Sequence, residues 1–128
     1  MKKFICLVLT LFVLCGCSKF TVEDIDWDKK IEDKAFGYVF INYKLSYDAN
    51  GVLPTVTTIK ETNDNEYEVY GTVRCTDNYG KVYEAKWNGI AYVNLEIAQK
   101  LIDEGAKKDD GFGEAIDFNM IDAEVPRG

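Results

Sequence analysis

Alternation of apolar and polar positions is clearest in the middle of the chain. From Glu66 to Thr76, EYEVYGTVRCT places Tyr67, Val69, Gly71, Val73 and Cys75 on one face and Glu66, Glu68, Tyr70, Thr72, Arg74 and Thr76 on the other, the period-two pattern of a half-buried strand. From Lys81 to Trp87, KVYEAKW sets Tyr83, Ala85 and Trp87 against Val82, Glu84 and Lys86 in the same way. Both inner faces fall at odd positions, so the connecting loop must hold an odd number of residues. Asn78-Tyr79-Gly80 supplies three, with glycine where a left-handed residue is needed. That register predicts Cys75 opposite Tyr83, Val73 opposite Ala85, Gly71 opposite Trp87, and Arg74 facing Glu84 on the solvent side. It also lays the Trp87 ring over the bare Gly71 backbone, which compensates a glycine in a strand. A third strand, about Thr55 to Thr62, joins through Asn63-Asp64-Asn65 and brings Ile59 near Val69. The last strand bends at Asn88-Gly89 and continues through Ile90-Ala91-Tyr92-Val93.

Either side of this block the period changes. Ile31, Ala35, Phe36, Val39, Phe40, Tyr43 and Tyr47 follow steps of three and four, one helical stripe, and Asn50-Gly51 is a fair stop. Val39, Ile41, Tyr43, Leu45 and Tyr47 also alternate, so a strand is the rival reading. Thr21 followed by Asp24 is a weak capping box in the polar, acidic stretch before the helix. After Asn94, a fitting N-cap, Ile97, Leu101 and Ile102 share a face and Gly105 is the stop. AIDFNMIDAEV, near the end, reads equally as a short helix or a docked strand. The fold class expected is α+β: an N-terminal helix packed on a three- to four-stranded antiparallel meander, with a C-terminal helix.

The first twenty residues follow a different logic. Lys2 and Lys3 precede an apolar run from Phe4 to Cys15 broken only by Thr10, too short for a spanning helix, which needs about 20 residues. It has the character of a signal peptide. The run ends in Leu14-Cys15-Gly16-Cys17, which resembles the lipobox of bacterial lipoproteins. Cysteine in its second place departs from the usual pattern, although its small side chain fits. The resemblance implies cleavage after Gly16 and a diacylglyceryl group on the thiol of Cys17. The organisation expected is then residues 1–16 as lipoprotein signal peptide, 17–30 as lipidated N-terminus and tether, and 31–128 as a single α+β domain. The implied location is the cell envelope, facing the exterior or periplasm, on the outer membrane if there are two membranes, as Ser18 after the cysteine suits. Ordinary secretion or a short uncleaved anchor is the competing outcome.

Composition narrows the chemistry. The chain has 128 residues, no histidine and a formal charge of −7. Losing Lys2 and Lys3 with the leader takes the charge from −7 to −9, which argues against nucleic acid and against adhesion to anionic lipid. Of four cysteines, Cys6 and Cys15 leave with the leader and Cys17 is acylated, so Cys75 remains as one free thiol. With no histidine to activate it and an inward strand position, Cys75 reads as a small buried hydrophobe. The acids Asp24, Asp26 and Asp28, and Asp109, Asp110 and Glu114, lack calcium-loop spacing and read as solvated surface. No catalytic residue, metal site or cofactor is expected.

The helix followed by TIKETNDNEYEVYGTVRCTDNYGKVYEAKW, with its V-x-G-x-V strand (Val69, Gly71, Val73), D-N-x-G turn and aromatic return strand, looks like the small cystatin-like or NTF2-like modules of bacterial lipoproteins over roughly residues 30 to 94. It lacks the Q-x-V-x-G hairpin by which cystatins enter proteases. The resemblance implies a noncatalytic binding or assembly module with an envelope protein or extracellular partner. Tyr70, Tyr79 and Tyr92, on polar positions, are the candidate contact residues, since tyrosine offers large area at little entropic cost; packing of Tyr70 under another element is the bland alternative. Two other functions compete: a phage-encoded or defence lipoprotein that blocks an envelope receptor or DNA entry, and an envelope hydrolase.

Overall fold

The computed structural model describes residues 20–47 and 49–126. After a single 3-10 turn at Val22–Asp24, the elements are α1 (Trp27–Tyr47), β1 (Gly51–Asn63), β2 (Glu66–Thr76), β3 (Val82–Val93), α2 (Leu95–Asp103) and β4 (Ile116–Ala123). The four strands form one antiparallel sheet in chain order. Helix α1 covers one face, and the expected α+β meander is the architecture found. The shorter second helix lies between β3 and β4, and the ambiguous AIDFNMIDAEV segment is the fourth strand.

The odd-loop argument for β2 and β3 holds at every pair: Cys75 opposes Tyr83, Arg74 opposes Glu84, Val73 opposes Ala85 and Gly71 opposes Trp87. Ile59 opposes Val69. Strand β1 starts earlier than the apolar pattern indicated and runs through Pro54. It is an edge strand, where a residue without an N–H is tolerated. Its register shifts between Val56 and Thr58, and the Thr57 hydroxyl donates to the carbonyl oxygen of Tyr70 at 3.1 Å. That side-chain bond stitches the bulge to β2.

Between helix and sheet lies the main core. Ile31, Ala35, Val39 and Tyr43, at four-residue steps, are fully buried against Val69, Val73, Ala85, Trp87 and Phe118. That settles residues 39–47 as helix, because a strand would have sent Val39 and Tyr43 inward together with Ile41 and Leu45, which are exposed. The stripe is narrower than its spacing suggested: Phe36, Phe40 and Tyr47 are exposed. The helix opens at Trp27, inside the stretch read as tether. Its first turn is capped by Asp26, whose carboxylate accepts from the Lys29 N–H at 3.3 Å, while the Thr21–Asp24 pair closes the preceding 3-10 turn through Thr21 N–H to Asp24 Oδ2 at 2.9 Å.

At the N-terminal end of α1 a second, smaller core gathers Ile25, Ala98, Phe112 and Ala115, with Phe20, Val22 and Leu101 packed on it. Asn94 caps α2 as expected, its Oδ1 accepting from the N–H groups of Glu96 and Ile97 at 3.0 and 3.1 Å. Phe112 stands in the left-handed region, with φ 55°, and presents its ring edge-on to Trp27 at 5.8 Å. The Lys34 ammonium fastens the same loop through the Gly113 carbonyl at 3.1 Å.

Tyr43 ties the helix to the far edge of the sheet: its hydroxyl donates to the carbonyl oxygen of Glu124 at 2.7 Å. Burial, reinforced by the neighbouring Tyr47 and Cys75, pushes this phenol up to about 12. A raised folded-state value means that the unfolded chain releases the proton first, so the stabilisation is whole below about pH 10 and is lost as pH rises toward 12. Thermal midpoints are expected to fall over that interval, and Tyr43→Phe is expected to flatten the fall while lowering the neutral-pH stability by about 1 kcal/mol for the lost hydrogen bond.

Candidate functional site

The turn between β2 and β3 is built by one carboxylate. Asp77 Oδ1 accepts from the backbone N–H of Tyr79 at 2.8 Å and of Lys81 at 2.9 Å. The Tyr83 hydroxyl donates to Oδ2 at 3.3 Å. An aspartate that receives its own downstream backbone is a local alternative to a backbone turn, and Gly80, at φ 83°, supplies the left-handed residue that closes it. The Lys81 N–H first, then those of Tyr79 and the Tyr83 hydroxyl, hold the Asp77 carboxyl below the usual carboxylate range. It is therefore ionised, and the tip stays pinned, throughout the neutral range.

This pinned loop carries Tyr79 outward with 95% of its surface exposed. Beneath it is a pocket of about 330 Å³ lined by Tyr47, Ala49, Cys75, Tyr83 and Pro126 together with Tyr79. Three tyrosines from three separate elements therefore converge on the end of the domain where α1 stops. Cys75 is buried at the pocket floor and burial pushes its thiol up, which keeps it protonated and poorly nucleophilic.

The three tyrosines named from the sequence do not share a surface. Tyr70 and Tyr92 both stand on the sheet face opposite α1, exposed to 42% and 46%, and no element of the described residues packs over Tyr70. Its hydroxyl bonds the Glu68 carboxylate at 3.1 Å. Tyr70 pairs with Asn88, four residues short of Tyr92, which separates the two by about 14 Å along the strands. Tyr92 pairs with Glu66, and β2 runs ten further residues to Thr76 before the Tyr79 turn begins, roughly 34 Å away. Tyr92 instead overlooks an open depression with Asp64, Glu96, Glu114 and Asp117 beside the start of α2.

Acids singled out in the sequence serve local structure. Asp24 and Asp26 close the turns described above, and Asp110 Oδ2 accepts from the Lys107 N–H at 2.9 Å. Among the described residues no three His, Cys, Asp or Glu side chains come together as metal ligands, and no helix is long and apolar enough to cross a membrane. Cys17, the expected lipidation site, lies outside the described residues. Tyr47 and Tyr83, which complete the pocket, have the periodicity of core positions, so their spacing alone does not point to a site. The one local signal for the site is Asp77 placed at the start of the Asn-Tyr-Gly turn.

No protein-family model, no curated protein and no solved structure matches the chain.

Proposed function

We propose that this is a lipid-anchored envelope protein, acylated at Cys17, whose domain is a noncatalytic module that binds another envelope protein or an extracellular partner through its hairpin-tip end. The observation that carries the reading is Tyr79, 95% exposed on a pinned turn. A large aromatic carried on a pinned backbone has only two side-chain torsions to lose on binding and contributes a hot spot once covered.

Chain direction supports the choice of end. Phe20 packs in the small core at the start of α1, and Cys17 is three residues before it, within about 11 Å of chain. Helix α1 is 21 residues long, about 31 Å, and Tyr47 at its far end lines the same pocket as Tyr79. An acylated Cys17 therefore puts the length of α1 between the anchor and the Tyr79 end. The cystatin-like or NTF2-like resemblance agrees with a binding role and contributes no chemistry.

A photo-crosslinking amino acid placed at Tyr79 in intact cells tests this. One discrete protein adduct is expected, several-fold stronger than from Lys100 on α2. Tyr79→Ala is expected to weaken capture of that partner about tenfold, or about 1.4 kcal/mol, with the thermal midpoint unchanged. Equal labelling from both positions, or none from Tyr79, would reject the assignment.

A further inference from the structure

On the sheet face away from α1, two neighbouring rows of side chains enclose a depression. Gly51, Thr76 and Val82 lie side by side in one row, and Leu53 opposes Arg74 in the next. Glycine has no side chain and threonine a short one, so the space above them is open: about 340 Å³, lined by Gly51, Val52, Leu53, Arg74, Thr76 and Val82. The walls are aliphatic, with Leu53 exposed to 56% and Val82 to 50%. Arg74 is the one charged residue of the lining, in contrast with the four carboxylates gathered beside Tyr92. It stands opposite Glu84 in the register, yet the one ion pair among the described residues joins Lys29 and Asp33. The guanidinium thus keeps its five N–H donors for another acceptor.

We infer that this depression binds a carboxylate carried on a branched apolar group. Charge selects the anion: in a chain of net −7, an acid-free lining around an arginine is a place where a negative group is attracted. Donor geometry selects a carboxylate, because the planar fork of one guanidinium matches its two oxygens. The Thr76 hydroxyl adds a donor at the floor, its Oγ1 lying 3.6 Å from where a Gly51 Cβ would stand. A phosphate brings more charge and more acceptor oxygens than one arginine and one hydroxyl answer.

Shape selects the rest of the ligand. The volume is at the small end for a ligand site, room for one side-chain-sized group, and covering Leu53 and Val82 with an apolar group removes their surface from water. A small organic acid and the last residue of a peptide chain share this chemistry. The site lies on the other face of the sheet from Cys75 and requires neither Tyr79 nor an acylated Cys17.

The test titrates the full chain, in a mild zwitterionic detergent, with N-acetyl-leucine and follows its amide and methyl resonances. Saturable shifts are expected at Leu53, Arg74, Thr76 and Val82. N-acetyl-leucinamide, which has the shape without the charge, and acetate, which has the charge without the apolar group, are each expected to bind about tenfold more weakly or worse. Arg74→Gln is expected to weaken N-acetyl-leucine by about tenfold or more, and Arg74→Lys by several-fold, because an ammonium lacks the fork. Glu84→Gln removes the carboxylate across from Arg74 and is expected to tighten binding several-fold. Gly51→Val fills the space from its floor. Its Cβ meets Thr76 at 3.6 Å, an ordinary contact, so binding is expected to vanish while the thermal midpoint holds or rises. A pentapeptide ending in leucine with a free carboxylate separates the two sources: about tenfold tighter binding than N-acetyl-leucine identifies a chain end, and equal binding a small acid. No saturable shift in the millimolar range, equal binding of acid and amide, indifference to Arg74→Gln, or tighter binding of isoamyl phosphate overturns the inference.

Discussion

Replacing Gly71 with alanine is expected to destabilise the domain by about 3 kcal/mol or more, a large part of a stability that for a domain of this size is roughly 5–15 kcal/mol. The new methyl would sit 2.1 Å from the backbone oxygen of Thr55 and 2.3 Å from Cζ2 of Trp87. Neither neighbour can yield cheaply. Thr55 is held in the ladder opposite Thr72, and the Trp87 ring is fully buried with its Nε1 donating to the Thr72 carbonyl at 2.9 Å. Relief requires either opening β1 from β2 or expelling the largest side chain of the core. Urea unfolding of the two proteins checks this, and a midpoint within the equivalent of 1 kcal/mol of the parent would mean that Trp87 does not lie over Gly71. The double variant Gly71→Ala, Trp87→Leu is expected to lose less than the sum of its single changes, because the two share one space.

The second large effect concerns location. Cys17→Ser is expected to move the protein from the membrane fraction to the soluble fraction, with no incorporation of labelled fatty acid and no cleavage at Gly16. The magnitude follows from the anchor alone. Each buried methylene of an acyl chain contributes about 0.8 kcal/mol, so one chain holds a protein marginally and two or three hold it for practical purposes irreversibly. Among the described residues no helix is long and apolar enough to cross a bilayer. A Cys17→Ser protein that still matures at the same position and sediments with membranes would remove the lipoprotein assignment.

These two predictions rest on different kinds of legibility. The Gly71–Trp87 contact was readable because antiparallel pairing with a period of two leaves little freedom: once the hairpin loop has an odd number of residues, every cross-strand partner follows. Ile59 opposite Val69 was readable for the same reason, through the Asn63-Asp64-Asn65 turn. The candidate site was readable only in part. Tyr79 announces itself by lying in a turn, yet the pocket beneath it needs Tyr47 from α1, Tyr83 from β3 and Pro126 from the C-terminal segment, which are far apart in sequence. Tyr70, Tyr79 and Tyr92 share polar positions in the pattern, but pattern carries no distance along a strand, and the sheet sets them far apart.

By itself the sequence determined the hairpin register, the helical caps at Asn94 and Gly105, the inward placement of Cys75 and the acidic charge, because each depends on the pattern of one hairpin, on the end of one helix or on simple counting. Only the tertiary structure decided four other matters. They are that residues 39–47 are helix, that residues 116–123 are a strand, that β1 extends through Pro54, and that Phe20 and Phe112 build a second core beside α2. In each, local preference is nearly balanced between two conformations, and the apolar surface buried against a distant element supplies the difference. Tyr43 shows the point: its alternation suited a strand and its spacing suited a helix, and in the helix its ring is buried and its hydroxyl reaches the carbonyl of Glu124 while Ile41 and Leu45, which a strand would have buried with it, stay exposed.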